Sequence, residues 1–263
     1  MSYFFLLGAE DPEMKKMEEL LGDSLQYAVL DGKRVHPDSA YDADPVVVPR
    51  QHQLVLIECE PSNIREHPDA IRLDHHRPGD PGYNKGAQDF LKASSIGQLH
   101  QLLDVEPTAE VLVVAACDHC MPDAVQGRCP GVSPEEALAF SISEIARHTH
   151  TSSMEVSEHI KRFQMLIENA PREVFGEQEV HDLREHYLDP GYSLNFLTAR
   201  VAVALEGCCA LLCHDDWHRG GIKWQLFGNA APETFVLFQG WAVKQGLKRV
   251  YGVPHRGYAG GYL

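Results

Sequence analysis

Ile71-Arg72-Leu73-Asp74-His75-His76 is a short apolar run that ends on one acid and two imidazoles. Arg77-Pro78-Gly79-Asp80-Pro81-Gly82 follows at once and breaks regular structure. The pattern predicts a buried strand whose C-terminal end delivers Asp74, His75 and His76 to a loop. In an open α/β sheet that end of a strand is where ligands bind. Carboxylate beside imidazole is also the donor chemistry of a borderline divalent metal ion. Taken alone, such a tripeptide is better read as an ordinary surface turn, so the surrounding sequence carries the decision.

Working outward, short apolar runs at 3–7, 27–30, 46–48, 54–57, 71–73 and 111–116 read as strands. The last is apolar throughout, as expected for a mainly parallel sheet buried on both faces. Residues 13–21 and 95–103 supply covering helices, and 31–45 is a polar, Pro/Asp-rich excursion. After Cys129-Pro130-Gly131 the character changes. Ser133-Pro134-Glu135-Glu136 is a capping-box start, and the helix it opens should run to about 148. A second helix carries Val156, Ile160, Phe163 and Ile167 on one face. A third carries Val180, Leu183 and Tyr187, stopped by Asp189-Pro190-Gly191. Residues 126–192 are therefore expected to be a helical connector without strands.

The last seventy residues return to α/β. A helical stripe of Leu197, Val201, Ala204 and Leu205 ends at Gly207, strands follow at 208–213 and 222–227, then a helix at 232–245 and a strand at 248–253. The expected fold class is α/β: a mainly parallel domain over 1–125, the connector, and a small α/β domain over 193–263.

The 263 residues carry a net charge of −15, which argues against a nonspecific grip on duplex nucleic acid, since that needs a basic surface. No apolar run reaches membrane-spanning length, and the start reads as a sheet strand, not a signal peptide. Seven cysteines, Cys59, Cys117, Cys120, Cys129, Cys208, Cys209 and Cys213, suit reduced thiols in a cytoplasmic protein. Cys117, Cys120 and Cys129 with His119 also admit a structural zinc site, although a second CxxC or CxxH pair is missing.

Asp74-His75-His76 resembles the name-giving motif of the DHH phosphoesterase superfamily. Three further stretches share the resemblance: Leu54-Val55-Leu56-Ile57-Glu58, Ala93-Ser94-Ser95-Ile96-Gly97-Gln98-Leu99, and Val111-Leu112-Val113-Val114-Ala115-Ala116-Cys117-Asp118. Their order and spacing fit over roughly residues 1–125. The resemblance implies a pair of divalent cations about 4 Å apart that activate a water and clamp a phosphate. Manganese is the first choice of ion, magnesium the second and zinc a less favoured third. It further implies His75 and Asp118 as metal ligands, Glu58 in the bridging place normally held by Asp, His76 on the phosphate, and Asp74 orienting the loop or a histidine. His119 borders the site and is a candidate substrate contact.

The departure from the family lies after the first strand, where a histidine and then Asp-x-Asp are expected. Here the loop is Gly8-Ala9-Glu10-Asp11-Pro12-Glu13-Met14-Lys15. One alignment offers Glu13 and Lys15, the other Asp11 and Glu13, and the sequence leaves both open. Acids at this point are also simply favourable at a helix start. The resemblance extends to a small C-terminal domain with a glycine-rich substrate loop, which places Arg256, Gly257, Gly260 and Gly261 as phosphate or sugar contacts.

The implied activity is hydrolysis of a small phosphorylated compound, such as a nucleotide or a short single-stranded oligonucleotide, without a membrane partner and with a homodimer as an admissible assembly. Two other readings stay open: a diverged nucleotide-binding protein without turnover, and a structural zinc protein.

Overall fold

The computed structural model describes residues 2–37, 39–185, 193–216 and 221–263. It divides into two compact units, one of 1–85 with 89–119 and one of 86–88 with 120–263.

The first unit begins with β1 (Ser2–Leu7), α1 (Pro12–Leu21), β2 (Leu25–Tyr27) and the small hairpin β3 (Val29–Leu30) and β4 (Lys33–Arg34). It continues with β5 (His52–Ile57), β6 (Ile71–Leu73), α2 (Phe90–Ala93), α3 (Ser95–Leu103) and the first part of α4 (Ala109–Val125). The sheet runs β2-β1-β5-β6 and every neighbouring pair is parallel. Both faces are covered, because successive side chains of a strand point to opposite sides. Leu6, Leu54 and Leu56 pack with Ala28, Ala40 and Ala43, while Phe5, Leu7, Val55 and Ile57 are buried between them in sequence. The register sets Leu7, Ile57 and Leu73 abreast. The next residues after these three strands, Gly8, Glu58 and Asp74, thus leave the sheet along one C-terminal edge.

Two expectations fail in this unit. Residues 46–48 form no strand. The run 111–116 is helical, inside α4, because continuous apolarity fits a buried helix as well as a buried strand. Thr108, whose hydroxyl accepts from Val111 N–H at 3.3 Å, starts it. The helix breaks at Cys120 (φ −151°, ψ 59°), two residues before Pro122, and the division between the units falls there.

The second unit holds α5 (Pro134–Thr149), α6 (Ser153–Asn169), β7 (Arg172–Phe175), β8 (Gln178–Asp182), α7 (Ser193–Leu205), β9 (Cys209–Asp216), β10 (Gly221–Gly228), α8 (Pro232–Lys244), β11 (Lys248–Val253) and β12 (Tyr258–Tyr262). Ser133 caps α5 by accepting from Glu136 N–H at 3.1 Å, and Val156, Ile160, Phe163 and Ile167 form the buried stripe of α6. The expected strand-free connector is corrected. Val180 lies in β8, which pairs with β7 as a hairpin and with β9 in parallel, and Tyr187 lies outside the described residues.

The six strands run β11-β12-β10-β9-β8-β7. Ala210, Leu212 and Phe227 join the side chains of α6 and α7 in one core. Cys209, Leu211 and Leu226 join Phe235, Phe238 and Ala242 of α8 in the other. Among the described residues no helix is long and apolar enough to cross a membrane.

Candidate metal centre

Four elements of the first unit bring ligand-type side chains together at the carboxyl edge of its sheet. Asp11 caps α1, its Oδ1 accepting from Met14 N–H at 2.6 Å, with Pro12 at the first helical position. This start orients Glu13, which is fully buried and whose Oε1 accepts from Ile96 N–H at 3.0 Å. Glu58 follows β5 with φ 51°, a left-handed conformation that costs a non-glycine residue about 1–2 kcal/mol. Its Oε1 accepts from Ser95 Oγ–H at 2.7 Å. Asp118 stands in the last turn of α4 before its break. Ligand atoms of Glu13, Glu58, His75 and Asp118 all lie within 4.8 Å of one another, and Glu58, His75 and His76 form a second, overlapping group.

The proton positions follow from the contacts. His119 Nε2 lies 2.9 Å from the Lys85 carbonyl oxygen, which can only accept, so that nitrogen carries the hydrogen. A neutral His119 would then present a bare Nδ1 to His75 Nδ1, 2.9 Å away, and His75 would donate from Nδ1, the arrangement that a cation on Nε2 requires. The lone pair left on His75 Nε2 faces Asp118 Oδ2 at 3.2 Å and Glu58 Oε1 at 3.3 Å. Both His75 Nε2 and Glu13 Oε2 are buried without a hydrogen bond. A lone pair and carboxylate oxygens converging in a buried space repel unless a cation or a proton sits among them. Three carboxylates and one imidazole form a mostly oxygen donor set, suited to manganese or magnesium, with an imidazole that zinc also accepts. The residues present therefore fit a divalent cation.

Burial raises the Glu13 carboxyl well above its ordinary range, and the charges of Asp118, Glu58 and Asp11 raise it further. Asp11 is raised for the same reasons, burial first and then Glu58 and Asp118. Asp74 goes the other way. Burial opposes its ionisation, but the hydrogen bond and charge of His76, its backbone N–H and the Tyr41 hydroxyl lower it to about 2.

Asp74 organises the motif loop. Its Oδ1 accepts from His75 N–H at 2.7 Å, His76 N–H at 3.0 Å and His76 Nδ1–H at 3.0 Å. Its backbone is pinned by Gln98, whose amide receives Asp74 N–H at 3.3 Å and donates to Asp74 C=O at 3.1 Å. His76 itself is exposed, with Nδ1 engaged by Asp74.

The remaining expected residues are distributed as follows. Lys15 pairs with Glu10 at 3.0 Å, so the loop after β1 gives the cluster Glu13, with Asp11 serving as the helix cap. Ser94 caps α3 by accepting from Gly97 N–H at 3.2 Å, whereas Ser95 holds Glu58. His119 is corrected from substrate contact to a buried support for His75, both ring nitrogens being engaged. Cys120 and Cys129 approach to 3.4 Å, yet among the described residues no three-ligand group includes Cys117 or either of them.

In the second unit Arg256 is buried at the end of a single turn, 5.8 Å from the Tyr258 ring, and Gly257 takes φ 74°. Gly260 and Gly261, expected in a flexible loop, instead lie in β12. Gly260 is paired with Gln225 on one side and Tyr251 on the other. Backbone groups used in a ladder are not spare donors for phosphate. Tyr41, Gln98 and the support role of His119 were not readable from the sequence, because each contact joins residues that are distant along the chain.

No protein-family model matches the sequence. No curated protein matches it. Among solved structures, the pGpG-specific phosphodiesterase PggH from Vibrio cholerae aligns with a TM-score of 0.50 and 15% identity over 100% of this chain and 93% of that one. RecJ from Thermus thermophilus, solved in complex with Mg2+, aligns with a TM-score of 0.41 and 11% identity over 100% of this chain and 47% of that one. The fold is DHH-like: a mixed α/β chain with a parallel sheet and a C-terminal sheet.

Proposed function

We propose that the chain is a metal-dependent phosphoesterase acting on a small phosphorylated substrate, a nucleotide or a short single-stranded oligonucleotide. The observation that carries the reading is the convergence of Glu13, Glu58, His75 and Asp118 within 4.8 Å, next to an exposed His76. A divalent cation bound there, manganese by preference, supplies Lewis acidity toward phosphate oxygens and makes bound water acidic enough to be a nucleophile at neutral pH. The chain's own residues do the rest. His119 holds His75 with its lone pair on the cluster, and Ser95 and Ile96 N–H hold Glu58 and Glu13. Asp74 keeps the Nδ1–H of His76 so that Nε2, when protonated, donates to a phosphate oxygen. Asp74 and His76 are thus the residues assigned to catalysis.

The net charge of −15 favours small anions held locally over a long polyanion. Substrate of the kind named for the Vibrio cholerae neighbour, a dinucleotide, suits that scale. Arg256 and Gly257 are retained as candidate phosphate contacts, and a homodimer as a candidate assembly. A second reading, nucleotide binding without turnover, draws on one observation: the loop after β1 has no histidine and commits Asp11 to capping α1, which leaves a second cation with few donors.

Metal content and hydrolysis separate the readings. Manganese bound with pGpG or bis(4-nitrophenyl) phosphate cleaved is the expected result. His75→Ala should lower manganese affinity by at least the roughly 10-fold that loss of even an outer-shell partner costs, while His76→Ala should spare occupancy and abolish turnover. Equal loss of metal in both variants would overturn the assignment of roles, and metal binding without hydrolysis would favour the binder.

A further inference from the structure

Tyr41 sits on a single helical turn, Ala40–Asp42, within the polar excursion between β4 and β5. The excursion is firmly seated. Glu60 N–H donates to Ala40 C=O at 3.0 Å, Ala43 N–H to Glu60 C=O at 3.2 Å and Ser62 N–H to Ala43 C=O at 2.9 Å. Ala40 and Ala43 are buried in the core under the sheet, and the Tyr41 ring packs against that core. The Arg77 guanidinium stacks over the ring, 3.2 Å from its centroid. Held in this way, the Tyr41 hydroxyl donates to Asp74 Oδ2 at 2.9 Å.

The carboxylate of Asp74 is divided between two tasks. Oδ1 receives both backbone N–H groups of the histidine pair and His76 Nδ1–H, while Oδ2 receives Tyr41; the Asp80 side chain also lies within hydrogen-bond reach of the Asp74 carboxylate. The final torsion of an aspartate is broad and roughly two-fold, so donors on one oxygen alone leave the carboxylate plane free to swing. A donor on the second oxygen, mounted on a different element, fixes that plane. Burial and the Asp74 charge push the phenol far above its ordinary range, so the hydroxyl remains a donor throughout the neutral range.

We propose that Tyr41 is a positioning residue for His76: by holding Asp74 Oδ2 it fixes the carboxylate that orients the imidazole, and with it the direction in which Nε2 meets the phosphate. This rests on the phosphoesterase reading for its consequence in turnover, but the orientation itself does not depend on that reading.

The test is Tyr41→Phe, which keeps the ring, its packing and the Arg77 stack and removes only the hydroxyl. Long-range proton–nitrogen NMR of 15N-histidine-labelled protein reads the His76 ring directly. The wild type should show one Nδ1–H tautomer, and the variant a mixture. With bis(4-nitrophenyl) phosphate and manganese, kcat should fall about 10-fold, as for a group acting through another, with KM and manganese affinity held within about twofold. An unchanged tautomer and unchanged kcat would overturn the proposal. A wild type without hydrolysis would defeat the phosphoesterase reading alone, since the tautomer comparison still decides whether Tyr41 sets His76. If Tyr41→Phe lost manganese as well, Tyr41 would be supporting the whole loop, and the specific role would be wrong.

Discussion

A methyl group on Gly82 would stand 1.9 Å from the Ala93 carbonyl oxygen and 2.7 Å from His75 Cβ. The turn after the histidine pair therefore folds back against the motif, with Gly82 N–H donating to Asp74 C=O at 2.9 Å. Gly82→Ala has no flexible neighbour to displace, only backbone and the Cβ of His75. It should destabilise the protein by about 1–3 kcal/mol through overpacking and lower manganese affinity in parallel, read by urea unfolding and by metal titration. Wild-type stability in that variant would mean the turn has room that the geometry denies it. At this scale the sequence was most informative about residue type: an acid and two histidines after an apolar run, acids after two other strands. It was least informative about the partners of those residues. Tyr41 reaches Asp74 across 33 positions and His119 reaches His75 across 44, and no local periodicity marks such pairs.

Elements were legible where a cap or a stripe accompanied them. Ser133 starts its helix as its sequence indicates, and the buried stripe of α6 follows the helical period. The failures share a cause. An apolar run at 111–116 has no polar face to reveal its period, and β7 and β8 are too short and mixed to show alternation against a helical reading. Those two strands carry a testable pH dependence. His181 of β8 is buried, donates Nδ1–H to Ile167 C=O at 2.7 Å, and receives Arg172 Nη1 on Nε2 at 2.7 Å. Burial, and secondarily Arg172, lower its pKa from 6.5, so the native state stays neutral while the unfolded chain takes up a proton. Asp182 is lowered from 3.8 because Arg184 outweighs the cost of burial. Both shifts act with the same sign: the unfolded state binds more protons, so stability falls as pH drops. The His181 share is intact above about pH 6.5, the unfolded histidine value, and is lost on descending from there toward its lowered folded pKa. The Asp182 share is lost only below about pH 4, the unfolded carboxyl value. His181→Gln should flatten the decline in urea midpoint between pH 7 and pH 5 without altering it near pH 3. A decline of wild-type steepness would assign the acid sensitivity to other groups.

The whole chain consists of two units with cores of their own, and the acidic balance of −15 is spread over a molecule whose first unit concentrates carboxylates at one sheet edge. The second unit depends on its last residues in a way the glycine-rich sequence conceals. Tyr258–Tyr262 form β12, which lies between β11 and β10. A Cβ on Gly260 would meet the Tyr251 hydroxyl at 2.4 Å and the Trp224 carbonyl oxygen at 2.9 Å, and one on Gly261 would crowd Leu247 at 3.1 Å. A glycine-rich terminus usually reads as a frayed tail, and this one is instead an interior strand whose Ala259 is fully buried. Truncation after Val253 would remove both ladders of β12, strand β11 would lose its sheet neighbour, and the edge of β10 would be exposed to pairing with other chains. The expected result is loss of the second unit's cooperative thermal transition, rapid proteolysis beyond Cys120 and a tendency to aggregate. Calorimetry and limited trypsin digestion measure these directly. Should the truncated chain unfold at the wild-type temperature and resist trypsin equally, β12 contributes nothing to the sheet in solution, and Arg256, Gly257, Gly260 and Gly261 would be restored as a mobile segment available to a ligand.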